Sequence, residues 1–254
     1  MQSTWSMRKE IQEQLLAQNQ QFYDTYAHSF SSTRHRVQPG VKRLLPMLLA
    51  GNSVLDLGCG NGNLATELAA QGYQGAYVGL DNSPALFEHE LETPLPGGHG
   101  NAVFRQADFS MPDWPVSLEG QQFERVVSFA VLHHLPGEDL QADFFRSTAQ
   151  ALAPEGMLAI STWQVLNSDR LKARVQPWSA IGISEDEVGP GDLLMDWRAE
   201  KQEAAPVLRY VHHFNEEELI CLGKAAGLRL VERFFSDGKE GNLALYQIWQ
   251  KPAN

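Results

Sequence analysis

Cysteine, cationic residues and long apolar runs are all scarce in this sequence of 254 residues. Its two cysteines, Cys59 and Cys221, are too few for a disulfide scaffold or a cysteine-based zinc site, so we expect reduced thiols, a cytoplasmic protein and no bound metal. No run of about 18 apolar residues is present, which predicts that no segment spans a membrane. Residues 1–21 also lack the apolar stretch of a signal peptide.

The charge balance limits the kind of partner that the surface can bind. Lys and Arg number 20 against 31 Asp and Glu, which gives a net charge of −11. Phosphate binding depends mostly on Lys and Arg, so this balance argues against a broad nucleic-acid-binding surface but leaves room for a local basic site. A hydrophobic content of 43% is ample for a folded core.

Short apolar runs alternate with amphipathic stretches through the middle of the chain. The runs predict buried parallel strands and the stretches predict helices, which together indicate an α/β fold with a mostly parallel sheet. The predicted strands are Ser53–Leu57, Ala76–Leu80, Ala102–Arg105, Phe123–Phe129 and Met157–Trp163, and the predicted helices between them are Asn63–Gln71, Pro84–Leu91 and Asp139–Leu152.

The two ends of the chain and one long insertion complete the predicted organisation. Residues 5–28 and 39–49 have helical periodicity, and Asn215 is placed to cap a helix over 216–226. Strands over 229–235 and 243–249 flank a turn with Asp-Gly, which predicts a hairpin and an antiparallel last strand. We therefore divide the chain into an N-terminal helical cap (1–50), an α/β core (51–163), a lid or binding insertion after the fifth strand (164–206) and a completion of the core sheet (207–254).

A glycine-rich turn follows the first predicted strand and opens a helix. Glycines in such a turn let the backbone bend tightly and approach a ligand closely. Gly58 and Gly60 fit the dinucleotide pattern G-x-G-x-x-G/A, but Asn63 stands at its third position. The departure favours a nucleotide cofactor without a diphosphate and makes a nicotinamide oxidoreductase the less favoured alternative.

Acidic residues follow the next two strands. Asp81 ends the second strand, where a carboxylate can accept hydrogen bonds from both hydroxyls of a ribose. Asp108 follows the third strand and can accept from an adenine amino group, and Phe109 beside it can cover a ring face. Because parallel strands end at one edge of a sheet, these side chains and the glycine turn are expected to meet there.

These segments resemble the four cofactor motifs of class I S-adenosylmethionine (SAM)-dependent methyltransferases. The motifs are Asp56–Gly62, Gly79–Asp81, Ala107–Phe109 and Ser128–Leu135. The resemblance implies a Rossmann-like fold with a seven-stranded, mostly parallel sheet whose last strand is antiparallel. It implies SAM, which has no diphosphate, as the cofactor, and a cofactor site formed by Arg34, Gly58, Gly60, Asp81, Asn82, Asp108, Phe109 and Phe129.

Arg34 is included because a guanidinium offers two parallel donors to the carboxylate of the methionine part of SAM. The remaining charged and aromatic residues concern the acceptor. His133, His212 and Arg209 are the candidates for catalysis or acceptor contact, and His213 and Tyr210 lie beside them. Tryptophans at positions 163, 178 and 197 either stack on a base or pack in the core or the lid.

A narrower resemblance extends over most of the chain. Residues 23–35, 130–134, 163, 176–178 and 209–214 resemble, in the same order, the tRNA wobble-uridine methyltransferases, which methyl-esterify a carboxymethyl group on the base. The resemblance implies a tRNA acceptor, and some of these enzymes work with a small zinc-binding activator protein. Two positions depart from the pattern: Ala173 replaces an acidic residue, and residues 240–243 replace an Asp-Asn-Trp segment. A small-molecule acceptor and a SAM-binding scaffold without catalysis are therefore kept as alternatives.

Overall fold

Seven of the described strands form one sheet. The computed structural model describes residues 6–32 (side chains as far as residue 25), 36–83, 86, 102–197 and 207–253. The strands are β1 Ser53–Leu57, β2 Ala76–Asp81, β3 Ala102–Gln106, β4 Phe123–Phe129, β5 Leu152–Trp163, β6 Val175–Gln176, β7 Asp192–Trp197, β8 Val207–His212, β9 Arg229–Ser236 and β10 Ala244–Gln250. The large sheet has the order β3-β2-β1-β4-β5-β10-β9. Its neighbours pair in parallel from β3 to β5, whereas β10 is antiparallel to both β5 and β9.

Helices cover both faces of this sheet, because its central strands are apolar on both sides. The described helices are α1 Lys9–Ser32, α2 Pro39–Leu49, α3 Asn63–Ala70, α4 Glu138–Ala151, α5 Asp169–Lys172 and α6 Glu216–Ala225. Leu55 and Val126 pack in the cluster that includes α4 and α6, while Val54 and Val127 pack in the cluster that includes α2 and α3. Neighbouring strand residues therefore point to opposite faces. The predicted fold class and the antiparallel last strand are confirmed.

A second, smaller sheet combines two strands of the region predicted as an insertion with one strand that follows it. Strands β6, β7 and β8 form an antiparallel sheet, and α1 packs on it through a cluster that includes Leu15, Trp178 and Tyr210. The expectation that residues 207–254 complete the core sheet is wrong for Val207–His212, which lie in the small sheet. The reason is that β8 pairs with β7 along its whole length, from Val207 opposite Trp197 to His212 opposite Asp192.

Element boundaries differ slightly from those expected. The first helix covers Lys9–Ser32 rather than 5–28, and β5 begins at Leu152 because residues 152–156 continue the strand through an irregular register with β4. Of the helix expected over 84–91, only Leu86 lies within the described residues. In the part of the chain that is described, no helix is long and apolar enough to cross a membrane.

Candidate functional site

A cavity of about 510 Å³ opens at the carboxyl ends of the central parallel strands. Strands β2 and β4 lie on either side of β1, so the chain reverses its direction of winding at this point. Sheets of this class bind ligands at such a switch point. The cavity is lined by the glycine turn, by the ends of β2 and β4, and by parts of α1, α5 and β8.

The glycine turn is shaped by close contact with the segment after β4. Gly58 has φ +80°, and a Cβ there would lie 2.1 Å from Cγ2 of Val131. Its amide and that of Cys59 donate to the carbonyl of Leu80 at 2.7 and 3.0 Å, which ties the turn to β2. Gly60 has φ +54°, and no heavy atom lies within 4 Å of where its Cβ would be. Both positions therefore favour glycine, and Gly60 faces the open cavity.

The carboxylate of Asp81 joins the end of β2 to the glycine turn. It accepts from the amide of Gly60 at 2.9 Å and from the amide of Ser83 at 2.9 Å. Burial raises the pKa of Asp81, and these backbone hydrogen bonds oppose that shift. Asn82 lines the cavity and donates to Gln20 of α1 at 2.6 Å, so α1 is attached directly to the predicted cofactor site.

Asp56 is a buried acid next to the glycine turn, and the sequence indicates it only as part of a motif. It is 4% exposed, it lines the cavity, and it accepts from the hydroxyl of Tyr77 at 2.6 Å. Burial raises its pKa to about 7, although the hydrogen bond from Tyr77 lowers it. Such a carboxyl can compensate a positive charge that enters the cavity. Burial also raises the pKa of the neighbouring Cys59 thiol, so this cysteine stays protonated.

The other predicted cofactor residues lie along the same wall. Asp108 is exposed and accepts from the amide and hydroxyl of Ser110 at 2.9 and 2.7 Å. Phe109 is buried, with its ring edge-to-face on Trp114 at 5.6 Å between centroids. Phe129 is half-buried at the end of β4. All three residues line the cavity, whereas Arg34 lies outside the described residues.

One cavity residue has a backbone conformation that its sequence does not reveal. Ala130 follows Phe129 with φ +61°, an uncommon conformation for a residue with a side chain. Its amide donates to the carbonyl of Ser161 at 3.0 Å, which anchors the turn to β5. Because the next residue, Val131, packs on Gly58, this turn helps to shape the cavity wall.

Aromatic and cationic side chains form the far end of the cavity. Arg209 of β8 is 6% exposed, and its Cζ lies 4.8 Å from the ring centroid of Phe22 and 4.5 Å from that of Trp163. Tyr23 and His134 also line the cavity and are hydrogen-bonded to each other at 2.7 Å. Among the described lining residues, the cations are Arg36, Arg170 and Arg209.

The predicted histidines lie elsewhere. His133 is fully buried, and its Nδ1 accepts from the amide of Trp163 at 3.3 Å. Of these two adjacent histidines, His134 is among the described residues that line the cavity and His133 is not. His212 is buried in contact with Asp192, Nδ1 to Oδ1 2.7 Å. Trp178 packs in the core between α1 and the small sheet, which is one of the two roles expected for it.

The chain matches the methyltransferase domain family over residues 28–233. It belongs to this family. A SAM-dependent methyltransferase of Methanosarcina mazei has the same fold, with a TM-score of 0.62 and 23% identity over 86% of this chain and 99% of that one. The assignment confirms a methyltransferase domain with SAM as its cofactor.

Relatives of this methyltransferase domain act on different acceptors. The tRNA (carboxymethyluridine(34)-5-O)-methyltransferase of Schizosaccharomyces pombe is 26% identical over 84% of this chain and 89% of its own length. Its counterpart in Arabidopsis thaliana is 30% identical over 66% of this chain, but the match spans only 38% of that protein. The trans-aconitate 2-methyltransferase of Streptomyces coelicolor is 36% identical over 50% of this chain and 40% of its own length. Membership of the domain family therefore does not specify the methyl acceptor.

The residues present fit SAM as a ligand of the domain. The hydroxyl of Ser83 is buried at the cavity wall without a hydrogen-bond partner among the described residues. A buried polar atom of this kind is suited to form a hydrogen bond with a ligand or a water molecule. Gly60 leaves room that a Cβ would occupy. The acids Asp56, Asp81 and Asp108 suit a ligand that carries an ammonium group, ribose hydroxyls and an adenine amino group.

Proposed function

We propose that this methyltransferase esterifies a carboxylate of its acceptor, and that the carboxymethyl group of a wobble uridine in tRNA is the leading acceptor. The observation that carries the proposal is the placement of Arg209. Its guanidinium lines the cavity at 6% exposure and contacts two aromatic rings. A guanidinium held in this way keeps its planar pair of donors in a fixed orientation that matches a carboxylate.

The cofactor is proposed to occupy the opposite wall. SAM supplies a methyl group that its sulfonium sulfur activates for transfer to a nucleophile. We assign Asp81 to the ribose hydroxyls and Asp108 to the adenine amino group, with Phe109 and Phe129 beside the rings and the glycine turn along the methionine part. Asp56, whose pKa burial raises to about 7, would stabilise the cofactor's positive charge in its ionised form.

A carboxylate acceptor needs little acid–base assistance. Its reference pKa lies near 4, so it is already ionised at neutral pH. A carboxylate oxygen forms the new bond to the methyl carbon while the bond from that carbon to sulfur breaks. Arg209 is assigned to hold the carboxylate in line for this displacement, because alignment is the main contribution an enzyme makes to such a transfer. His133 and His212, which do not appear among the described lining residues, then have no required catalytic role.

The names of the relatives support a carboxylate acceptor. Carboxymethyluridine carries one carboxylate, and trans-aconitate carries three. The match to the tRNA enzyme of Schizosaccharomyces pombe extends over most of both chains, which favours the tRNA acceptor. The net charge of −11 keeps a small polycarboxylate as the second candidate, since a strongly acidic protein has little general attraction for nucleic acid.

The test is transfer of tritium from labelled SAM to undermethylated tRNA that contains carboxymethyluridine, to trans-aconitate, and to buffer alone. Each reaction is run with the chain by itself and with the small zinc-binding activator of the wobble-uridine enzymes. We expect counts in the tRNA. Counts in trans-aconitate alone would select the second candidate, whereas SAM binding by calorimetry with no transfer to any acceptor would support a scaffold and overturn the proposal.

A pair of arginine variants tests the residue that carries the proposal. Arg209→Lys keeps the charge but loses the planar fork, so we expect the KM for the acceptor to rise by about ten-fold or more with little change in SAM affinity. Arg125→Lys is the matched control, because Arg125 is half-buried and donates to the carbonyls of Met47 and Glu124 away from the cavity lining. Equal KM values for the two variants would remove Arg209 from the acceptor site.

A further inference from the structure

Two side chains at the acceptor end of the cavity are hydrogen-bonded in a way that fixes the position of their hydrogens. Tyr23 of α1 and His134 after β4 lie 111 residues apart in sequence and meet at 2.7 Å between Oη and Nε2. Nδ1 of His134 lies 3.1 Å from the carbonyl oxygen of Tyr210. Both Tyr23 and His134 line the cavity, so what they present to a ligand depends on which atoms carry hydrogen.

The carbonyl of Tyr210 determines that arrangement. A carbonyl oxygen can only accept a hydrogen bond, so Nδ1 of His134 carries the hydrogen. When His134 is neutral, its imidazole has only this one hydrogen, which leaves Nε2 as an acceptor. The hydroxyl of Tyr23 must then donate its single hydrogen to Nε2. Toward a ligand, the oxygen of Tyr23 therefore offers lone pairs and acts as an acceptor.

The backbone around the pair holds this geometry in place. The amide group of Asn19 donates to the carbonyls of both His134 and Tyr210 at 3.2 Å and accepts from the amide of Tyr210 at 2.8 Å. Asn19 is 5% exposed, so water competes little for these bonds. One turn of α1 thus fixes the histidine, the tyrosine and strand β8 relative to one another.

The same side chains connect the pair to the arginine proposed to hold the carboxylate. Tyr23 packs edge-to-face on Phe22 at 5.2 Å, and Phe22 lies beneath the guanidinium of Arg209 at 4.8 Å. On the other side, His134 contacts Trp163 at 5.9 Å between centroids, and Trp163 lies 4.5 Å from that guanidinium. A cationic donor and an oxygen acceptor therefore belong to one closed ring of contacts at the cavity wall.

We propose that Tyr23, positioned by His134, accepts a hydrogen bond from an N–H group of the acceptor, so that the site selects a heterocycle that carries both an imide N–H and a carboxylate. A uracil with a carboxymethyl group has both features. A simple polycarboxylate has only acceptor oxygens at neutral pH, and these would face the lone pairs of Tyr23. The inference rests on the proposed function, because it places the carboxylate at Arg209. A site that is built to bond an N–H discriminates against analogues that lack it.

The test compares three acceptors with three proteins. The acceptors are anticodon stem-loops that carry 5-carboxymethyluridine, its N3-methyl derivative, or 5-carboxymethylcytidine, whose N3 has no hydrogen. The proteins are the wild type, Tyr23→Phe, and the control Tyr73→Phe, which loses a phenol that donates to the carbonyl of Ala76 outside the cavity lining. Initial rates with tritiated SAM give kcat/KM, and calorimetry gives the affinity of each protein for SAM.

In the wild type and in Tyr73→Phe, we expect loss of the N3 hydrogen to lower kcat/KM by about ten-fold to one-hundred-fold, mainly through KM. In Tyr23→Phe, the three acceptors should differ by less than about three-fold, while SAM affinity stays at the wild-type value. Bulk at N3 would act on all three proteins alike, so the cytidine acceptor and the difference between proteins isolate the hydrogen bond.

The inference is overturned if the wild type uses the three acceptors equally, or if Tyr23→Phe discriminates among them as strongly as the wild type does. The wild-type comparison decides the question by itself if Tyr23→Phe does not fold. Both results differ from failure of the proposed function, in which the wild type would label none of the carboxymethyl acceptors.

Discussion

Replacement of Gly58 by alanine tests the glycine turn most sharply, because the structure supplies both the magnitude of the effect and a matched control. The φ of +80° is strained for alanine, and the new Cβ would lie 2.1 Å from Cγ2 of Val131. The backbone conformation costs about 1–2 kcal/mol, and overpacking of this kind costs about 1–3 kcal/mol more. In a chain of this size each kcal/mol lowers the melting temperature by about 2–4 °C.

The control is Gly120→Ala. Gly120 has φ +79°, and no heavy atom lies within 4 Å of its Cβ position, so it carries the backbone cost without the collision. We expect Gly58→Ala to melt below Gly120→Ala by several degrees and to lose most of its SAM affinity. Gly120→Ala should bind SAM as the wild type does. Shortening the neighbour in the double variant Gly58→Ala/Val131→Ala should recover stability.

The assays are differential scanning fluorimetry and calorimetric titration with SAM. If Gly58→Ala and Gly120→Ala lose equal stability and both keep SAM affinity, then neither the contact with Val131 nor the place of the turn in the cofactor site is as we describe. If the double variant melts no higher than Gly58→Ala, the collision is not the cause of the loss.

Three further predictions concern the buried acids and one histidine. Asp81→Ala removes the proposed ribose ligand, and we expect SAM affinity to fall at least ten-fold in calorimetry, a result that unchanged binding would contradict. Because burial raises the pKa of Asp56 to about 7 in the folded protein from an ordinary value of 3.8, this group stabilises the fold below about pH 4 and loses that contribution as pH rises through 7. Asp56→Asn should therefore gain on the order of 3 kcal/mol relative to wild type between those pH values, and parallel unfolding curves across that range would refute the shift. Burial alone would lower the pKa of His212, but its hydrogen bond to Asp192 and the nearby charges raise it to about 9. We expect His212→Gln to lose about 1.5–3 kcal/mol below pH 6.5, a deficit that closes as pH rises through 9 and that would be constant with pH if the histidine were neutral.

The sequence was sufficient to predict the parts of the fold that are determined by residues close to one another along the chain. The runs around Val54 and Val126 are apolar on both faces, which only a parallel strand covered by helices on both sides requires. Asn215 accepts from the amide of Glu218 at 3.0 Å, as its capping pattern predicted. Strand β8 was not predicted, because its partner β7 lies within a segment that has Gly, Pro and acidic residues and little alternation. Its pairing is a tertiary feature.

The two ends of the cavity differ in how well the sequence predicts them. The glycine turn, Asp81 and Asp108 each follow a strand directly, so local spacing was enough to bring them together at one sheet edge. The acceptor end combines Tyr23 with His134 across 111 residues, and no pattern in the sequence pairs them. The raised pKa of Asp56 also depends on burial beneath the turn, which its position within a motif did not disclose.

The central claim is that the methyl group is transferred to a carboxylate oxygen, and the chemical nature of the labelled product tests it most directly. A methyl ester is cleaved by mild alkali and releases methanol, whereas methyl groups on nitrogen, carbon or an ether oxygen stay attached. After transfer from tritiated SAM to tRNA that contains carboxymethyluridine, we predict that nearly all of the label becomes volatile on brief treatment with alkali. Label that remains bound to the RNA under these conditions would contradict the account.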